Sequence, residues 1–411
     1  MSKGLPASYL LFFLLSLYNC GNQIEKVSDN NTVSTSPRKI DTSFPEDLVL
    51  NSKLPPTLSY APPFVRDSKG PFRIAVVVSG EYWEFFDDFK ALVEGLSFLG
   101  WANPTTLPTS LTTSKEILTY LKSVNYSSYL EFPEDLYIDL EWGENQESLD
   151  NLFQNQDPPQ VDLILALGGI AGSYFSSLES FPIPVVLESI TDPLAAGVIK
   201  DYEDSGKDFI TCRVDPERFK RQVRLFHDLV GFKTLGILYG DTGFGRIYGA
   251  VRDVEEVAKE RGFTIIRNTS VLETIDPQTP ELYLKALEEV AQKADAVYLG
   301  ASHGITEYPI MPQVVQILHR YRKPSFALEG PIRVKQGILF GLSMAGVTQS
   351  GIYNAKKISL IFSGQSPRSL PQRFSIEPLI SLNTASAKAI GFDLPIHIFE
   401  GADQVFKDIS P

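Results

Sequence analysis

Cysteine is nearly missing from this 411-residue chain: there are two, Cys20 and Cys212, enough for at most one disulfide and too few for a cysteine-bound metal cluster. Histidine is almost as scarce. The four, His227, His303, His319 and His397, stand in no H-E-x-x-H or other metal-ligand spacing, so no metal or metal cofactor is expected. A nucleophile elbow of the G-x-S-x-G type is absent, and Asp241-x-Gly243-x-Gly245 matches neither a dinucleotide fingerprint nor a phosphate-binding P-loop. Positive charge is in deficit: 37 Lys and Arg face 50 Asp and Glu, and no basic cluster stands out, which argues against nucleic acid as a partner. The 43% hydrophobic and 21% charged residues make up a soluble globular protein with room for two domains, which excludes a membrane channel.

The N-terminus is the exception to that composition. Residues 1–19 carry Lys3 and an apolar core from Tyr9 to Tyr18, too short to span a bilayer and placed like an export signal. The core ends in Leu17-Tyr18-Asn19-Cys20-Gly21 and resembles a bacterial lipoprotein signal, which makes Cys20 the lipidated first residue of the mature chain. Tyr18 and Asn19 replace the small residues usual there, and a plain signal peptide with an incidental Cys is the other reading. Residues 20–71, poor in apolar side chains as far as Ser43 and stiffened by Pro55-Pro56 and Pro62-Pro63, read as a disordered tether.

From Phe72 onward, apolar strand-length runs alternate with helical periodicity. Strands are expected at Phe72–Val78, Tyr137–Glu141, Val161–Leu167, Pro184–Leu187, Phe209–Val214, Thr234–Tyr239, Thr264–Arg267, Ala296–Leu299 and Ser325–Leu328, with helices such as Pro216–Leu229, Val251–Arg261, Pro280–Gln292 and Pro312–Tyr321 between them. Runs that are apolar on both faces, alternating with helices, predict α/β lobes built on parallel sheets. Cys212, inside one such run, reads as a small buried hydrophobe. The block 101–135 holds a helix from Ser114 to Val124, capped by Thr113 or Ser114.

Ligands of open α/β sheets bind beyond the carboxyl ends of the strands. There the chain places Ser79 with Tyr82 and Trp83, Gly169 with Ile170, Thr191 with Asp192, Tyr239 with Thr242, Ser302 with His303, and Glu329. After Val161–Leu167, Gly168-Gly169 opens a helix, so the N–H groups of Gly169, Ile170 and Ala171 are expected to face the crevice unpaired. Rings, N–H and hydroxyl donors and a few acids suit an amino acid with an apolar side chain, its ammonium held by Asp192, Glu329 or Glu81. Each of these residues is equally suited to forming a turn or capping a helix.

The order DLILALGG, short helix, IPVVLESITDP, AAGVI, within Val161–Ile199, resembles the ABC transporter substrate-binding proteins whose best-studied members bind tryptophan or tyrosine, a branch of the type I periplasmic-binding fold. The segment Thr191-Asp192-Pro193-x-Ala195-Ala196-Gly197-x-Ile199 is its most specific part, and the likeness runs more loosely from Phe72 to Pro395. It implies two Rossmann-like lobes joined by a three-segment hinge: residues 72–212 with 335–364, and 213–334 with 366–395, the latter holding a late strand from Pro371 to Ile380. Relatives lack block 101–135, which is a surface elaboration, a lid or a docking surface. The function implied is a lipid-anchored, exported binding protein of the cell envelope, without catalysis or cofactor, that closes on a small solute and delivers it to an ABC permease. An envelope lipoprotein using the fold as a sensor or interaction module, or an enzyme on the same fold, are the other readings. No nucleophile–base pair or metal set supports the last.

Overall fold

In the computed structural model, residues 58–66, 69–153, 160–274, 276–306, 308–342, 347–375 and 380–410 are described; the expected signal peptide, Cys20 and the tether up to residue 57 lie outside them. Strand β1 (Phe72–Val78) shows why the first lobe forms. Its Ile74, Val76 and Val78 enter one core and its Ala75 and Val77 another, so both faces need a covering layer. Beside it stand β2 (Leu130–Glu131), β3 (Tyr137–Asp139), β4 (Leu163–Leu167), β5 (Val185–Glu188) and β6 (Ile210–Cys212), in the order β2-β1-β4-β5-β6 with β3 also on β1. Every pairing is parallel.

The second sheet runs β13-β12-β11-β10-β9-β7-β8. It comprises β7 (Thr234–Leu238), β8 (Thr264–Asn268), β9 (Ala296–Leu299), β10 (Ser325–Ala327), β11 (Phe340–Leu342), β12 (Ile380–Asn383) and β13 (Ala402–Phe406), with only β11 and β12 antiparallel. Two α/β lobes therefore lie side by side in one chain. Three lobe boundaries read from the sequence need moving. Residues 340–342, expected in the first lobe, are β11, hydrogen-bonded between β10 and β12 of the second. The late strand is Ile380–Asn383 rather than Pro371–Ile380, because residues 371–375 form a crossing between lobes. Beyond Pro395 the chain adds β13 to the second sheet.

The crossings are joined by backbone. Val214 donates to the Gln372 carbonyl (2.9 Å) and Phe374 to that of Val214 (2.9 Å), while the segment 343–346 falls outside the described residues. After it, the helix Val347–Phe362 returns to the first lobe and lies on the helix Trp83–Phe98. The approach depends on glycine: a Cβ on Gly351 would stand 2.1 Å from the Ala91 carbonyl oxygen. From this helix Lys357, fully buried, donates to the Cys212 carbonyl at 2.9 Å, and burial lowers its pKa to about 8. Beside it Arg213 holds Glu188 (2.7 Å) and Asp88 (3.3 Å), two acids whose pKa values burial raises and Arg213 pulls back. Cys212 is buried and free, as its alternating surroundings suggested.

Two further expectations change. The tether ends earlier than residue 71, since residues 58–66 are fastened to the first lobe: Ala61 donates to Ser359 Oγ (3.0 Å) and accepts from the Trp101 indole (2.9 Å), while Arg66 pairs with Asp162 and covers the Phe72 ring at 4.1 Å. Block 101–135 packs into the first lobe and does not stand apart from it. Trp101, Leu107, Ile117, Leu118, Leu121, Tyr126, Leu130 and Phe132 are buried in the first core, and β2 extends the sheet. Its helix, Ser114–Ser123, starts with the capping box Thr113–Glu116.

Candidate functional site

The carboxyl ends of both sheets converge on one cleft. Ser79, just past β1, donates to the Leu167 carbonyl (3.0 Å), and its Oγ accepts from the N–H groups of Ile170 (3.1 Å) and Ala171 (3.0 Å). The expected trio of free N–H groups is thereby corrected: Ser79 caps two of them, leaving Gly169, where a Cβ would meet nothing within 4 Å. Gly168 must be glycine, having φ of 91° and no room for a Cβ against the Phe85 ring at 2.5 Å. The Ser79 hydroxyl is spent on a carbonyl and not on a base.

Aromatic rings make the walls. Tyr82, at the start of the helix Trp83–Phe98, meets Phe85 edge to face (centroids 5.3 Å) and Trp142 at 6.4 Å, and Trp142 reaches His303 of the second lobe at 6.1 Å. The second lobe adds Phe219, Tyr248 and Leu328 to the lining. The charged lining groups are Glu84, Arg218 and Glu329. Arg218 Nη2 stands 3.0 Å from Glu84 Oε1, an ion pair between the lobes. Glu329 is already neutralised, by Arg333 at 2.7 and 3.2 Å, and it accepts from the Tyr82 hydroxyl at 2.5 Å. Burial, then the Glu329 charge, raise the pKa of Tyr82 well above the usual phenol value, so this hydroxyl is a fixed donor.

Of the residues singled out in the sequence, Ser79, Tyr82, Gly169, Ile170, Thr191, Ser302, His303 and Glu329 line this cleft. Asp192 lines the adjoining polar pocket instead, with Tyr202 and Asp253, and is bound by Arg252 (2.7 Å) from the second lobe and by the Ala195 N–H (3.0 Å). Glu81 points into block 101–135, accepting from the Tyr137 hydroxyl and the Ser114 N–H (3.1 Å). All three acids proposed for an ammonium thus have partners within the protein. Tyr239 is buried beneath Arg246, and Thr242 caps the Gly245 N–H at 2.9 Å; neither lines the cleft.

Sequence reasoning missed Glu84, Phe85, Trp142, Ser189, Arg218, Phe219 and Tyr248. Glu84, Phe85, Arg218 and Phe219 sit in first turns of amphipathic helices, where they read as ordinary surface or core; their position at the N-terminal ends was the available signal. Glu273 was missed as well. It accepts from the Gly240 N–H at 3.1 Å, interacts with the Ser302 hydroxyl and the His303 N–H, and has its pKa raised by burial, so it positions the loop that carries both lining residues. Among the described residues no group of three or more His, Cys, Asp and Glu could hold a metal ion, and no helix is long and apolar enough to cross a membrane.

This architecture, two α/β lobes with a cleft between them lined by aromatic rings and a few charges, defines the class of two-lobed binding proteins. A family model described as ABC transporter substrate binding protein matches residues 139–406, and the chain belongs to that family. Among solved structures it resembles an ABC domain in complex with L-Trp from Streptococcus pneumoniae (TM-score 0.61, 19% identity, covering 82% of this chain and 100% of that one). A conserved domain protein from Vibrio cholerae is similar (0.60, 18%, 81% and 99%). So is the ligand-free, open structure of a substrate binding protein with adhesive properties from Clostridium difficile (0.58, 18%, 82% and 100%). At these identities the likeness is one of fold, the type I periplasmic-binding fold. No curated protein matches the chain.

Proposed function

We propose that this protein is the lipid-anchored receptor of an ABC importer and that its cleft takes an α-amino acid with an aromatic or other apolar side chain. The observation that carries the reading is the Glu84–Arg218 pair, one charge from each lobe, set in a cleft walled by Tyr82, Phe85, Trp142, Phe219 and Tyr248. A zwitterion entering there exchanges one ion pair for two, its ammonium on Glu84 and its carboxylate on Arg218 and the Gly169 N–H, and so joins the lobes. A protein of the same fold that carries L-Trp is consistent with such a ligand.

The test is a thermal-shift screen of the full chain against amino acids, sugars and nucleosides, since a ligand at 100 times its Kd stabilises the native state by about 2.7 kcal/mol. Apolar L-amino acids should raise Tm; a response confined to sugars or nucleosides overturns the reading. Glu84→Gln and Arg218→Met should each weaken the amino acid found by at least tenfold, about 1.4 kcal/mol. If both keep affinity within about threefold (~0.65 kcal/mol), the placement of the zwitterion is wrong.

The anchor is proposed from Leu17-Tyr18-Asn19-Cys20 ahead of a polar segment. Each buried CH₂ of an acyl chain contributes about 0.8 kcal/mol, so Cys20→Ala, expressed in a cell that processes lipoproteins, should release the exported protein from membranes. Fractionation that finds the variant as firmly membrane-bound as its parent removes the anchor from the proposal.

A further inference from the structure

We infer that Trp142 is the specificity-determining ring of the cleft and the apolar latch of its closed state. The specificity half rests on the reading of the cleft as an amino-acid site; the latch half does not. Trp142 has φ of 58° and ψ of 27°, and Glu141 before it has φ of 46°, so two successive non-glycine residues occupy the left-handed region. Strain of this kind persists only where surrounding bonds over-determine it, and it concentrates at functional sites.

Those bonds are present. The Trp142 N–H donates to the Ser79 carbonyl (2.7 Å) and that of Glu141 to Asp139 Oδ1 (2.9 Å), while Gly143 and Asn145 donate to the Leu140 carbonyl at 2.7 and 3.1 Å. They fasten the turn after β3 to the carboxyl end of β1 and aim the indole across Gly80. A Cβ on Gly80 would lie 2.4 Å from the indole Cε2. Only glycine lets the ring rest there. From that seat the indole edge meets His303, the first residue of the short helix His303–Thr306 in the second lobe, with the planes at 77°. The ring is half-buried and lines the cleft, so one of its surfaces closes the lobes and another confronts the ligand.

A wall held by a strained backbone does not retreat to suit its guest. Flat side chains can pack on it, whereas branched aliphatic ones gain less from the indole face. The variants are Trp142→Ala, Trp142→Phe and Gly80→Ala, the last of which displaces the ring without removing it. In the ligand-free full chain, small-angle scattering should give a larger radius of gyration for Trp142→Ala and Gly80→Ala than for the parent, with Trp142→Phe between. Unchanged radii in both overturn the latch.

Calorimetry with L-phenylalanine and L-leucine reads the specificity. Trp142→Ala should weaken L-phenylalanine more than tenfold and L-leucine less than threefold, and Trp142→Phe should recover most of the former. Equal losses for the two probes overturn the specificity role. A parent that binds neither overturns the amino-acid reading and the specificity role with it, and scattering then decides the latch alone.

Discussion

Asp253, only 4% exposed, sits in the first turn of the helix Val251–Arg261 and lines the polar pocket beside the cleft. Burial raises its pKa to about 6, with Asp192 adding to the shift and Arg252 opposing it. An unfolded chain titrates this group near the ordinary aspartate value, so between about pH 4 and 6 the native state binds more protons and stability falls as pH rises; above 6 the whole cost is present. Asp253→Asn should therefore stabilise the protein at pH 7.5 by about 3 kcal/mol, less whatever the helix dipole gained from the acid. Denaturation at pH 7.5 and pH 3.5 checks this. The advantage should vanish at the lower pH, and a gain independent of pH would assign the effect to packing.

At the scale of elements, what the sequence disclosed and what it hid follow from the range of the interactions involved. Strands β1, β4 and β5 were legible because burial on both faces leaves an unbroken apolar run, and the helix Ser114–Ser123 because its capping box is local. Strand β11 has three residues, and its lobe is decided by pairing with Ile380–Leu382 some forty positions away, which no local pattern carries. Block 101–135 looked separable because its polar loops dominate, yet its apolar side chains complete the core. The cleft was half legible for the same reason. Residues that follow strands could be found by rule, whereas Trp142 depends on Gly80 sixty-two positions earlier, and the pairing of Glu84 with Arg218 on two lobes meeting. The acids that looked free, Asp192 and Glu329, were the ones the fold had already bound.

Across the whole molecule, the lobes meet through contacts of three kinds, one of them the Tyr82–Glu329 hydrogen bond. Rings meet at Trp142 and His303, and charges meet at Glu84–Arg218 and Asp192–Arg252. With Arg252 45% exposed, its pair is worth about 0.2–1 kcal/mol and is open to screening. The Debye length shrinks from about 10 Å at 0.1 M salt to about 3 Å at 1 M. Amides at 169–170 and 189–192, which line the interface, should accordingly exchange hydrogen faster in the ligand-free protein at 1 M NaCl. Exchange unaffected by salt would leave the ring contact and the Tyr82–Glu329 bond as the whole of the closing force.

The fastening of residues 58–66 has a mechanical meaning as well. Its bonds to Trp101, Asp162 and Ser359 all end on the first lobe. Any load arriving along the N-terminal chain is therefore borne by one jaw. Among the described residues the other hangs from the crossings around Val214 and Phe374, and can swing without dragging that segment.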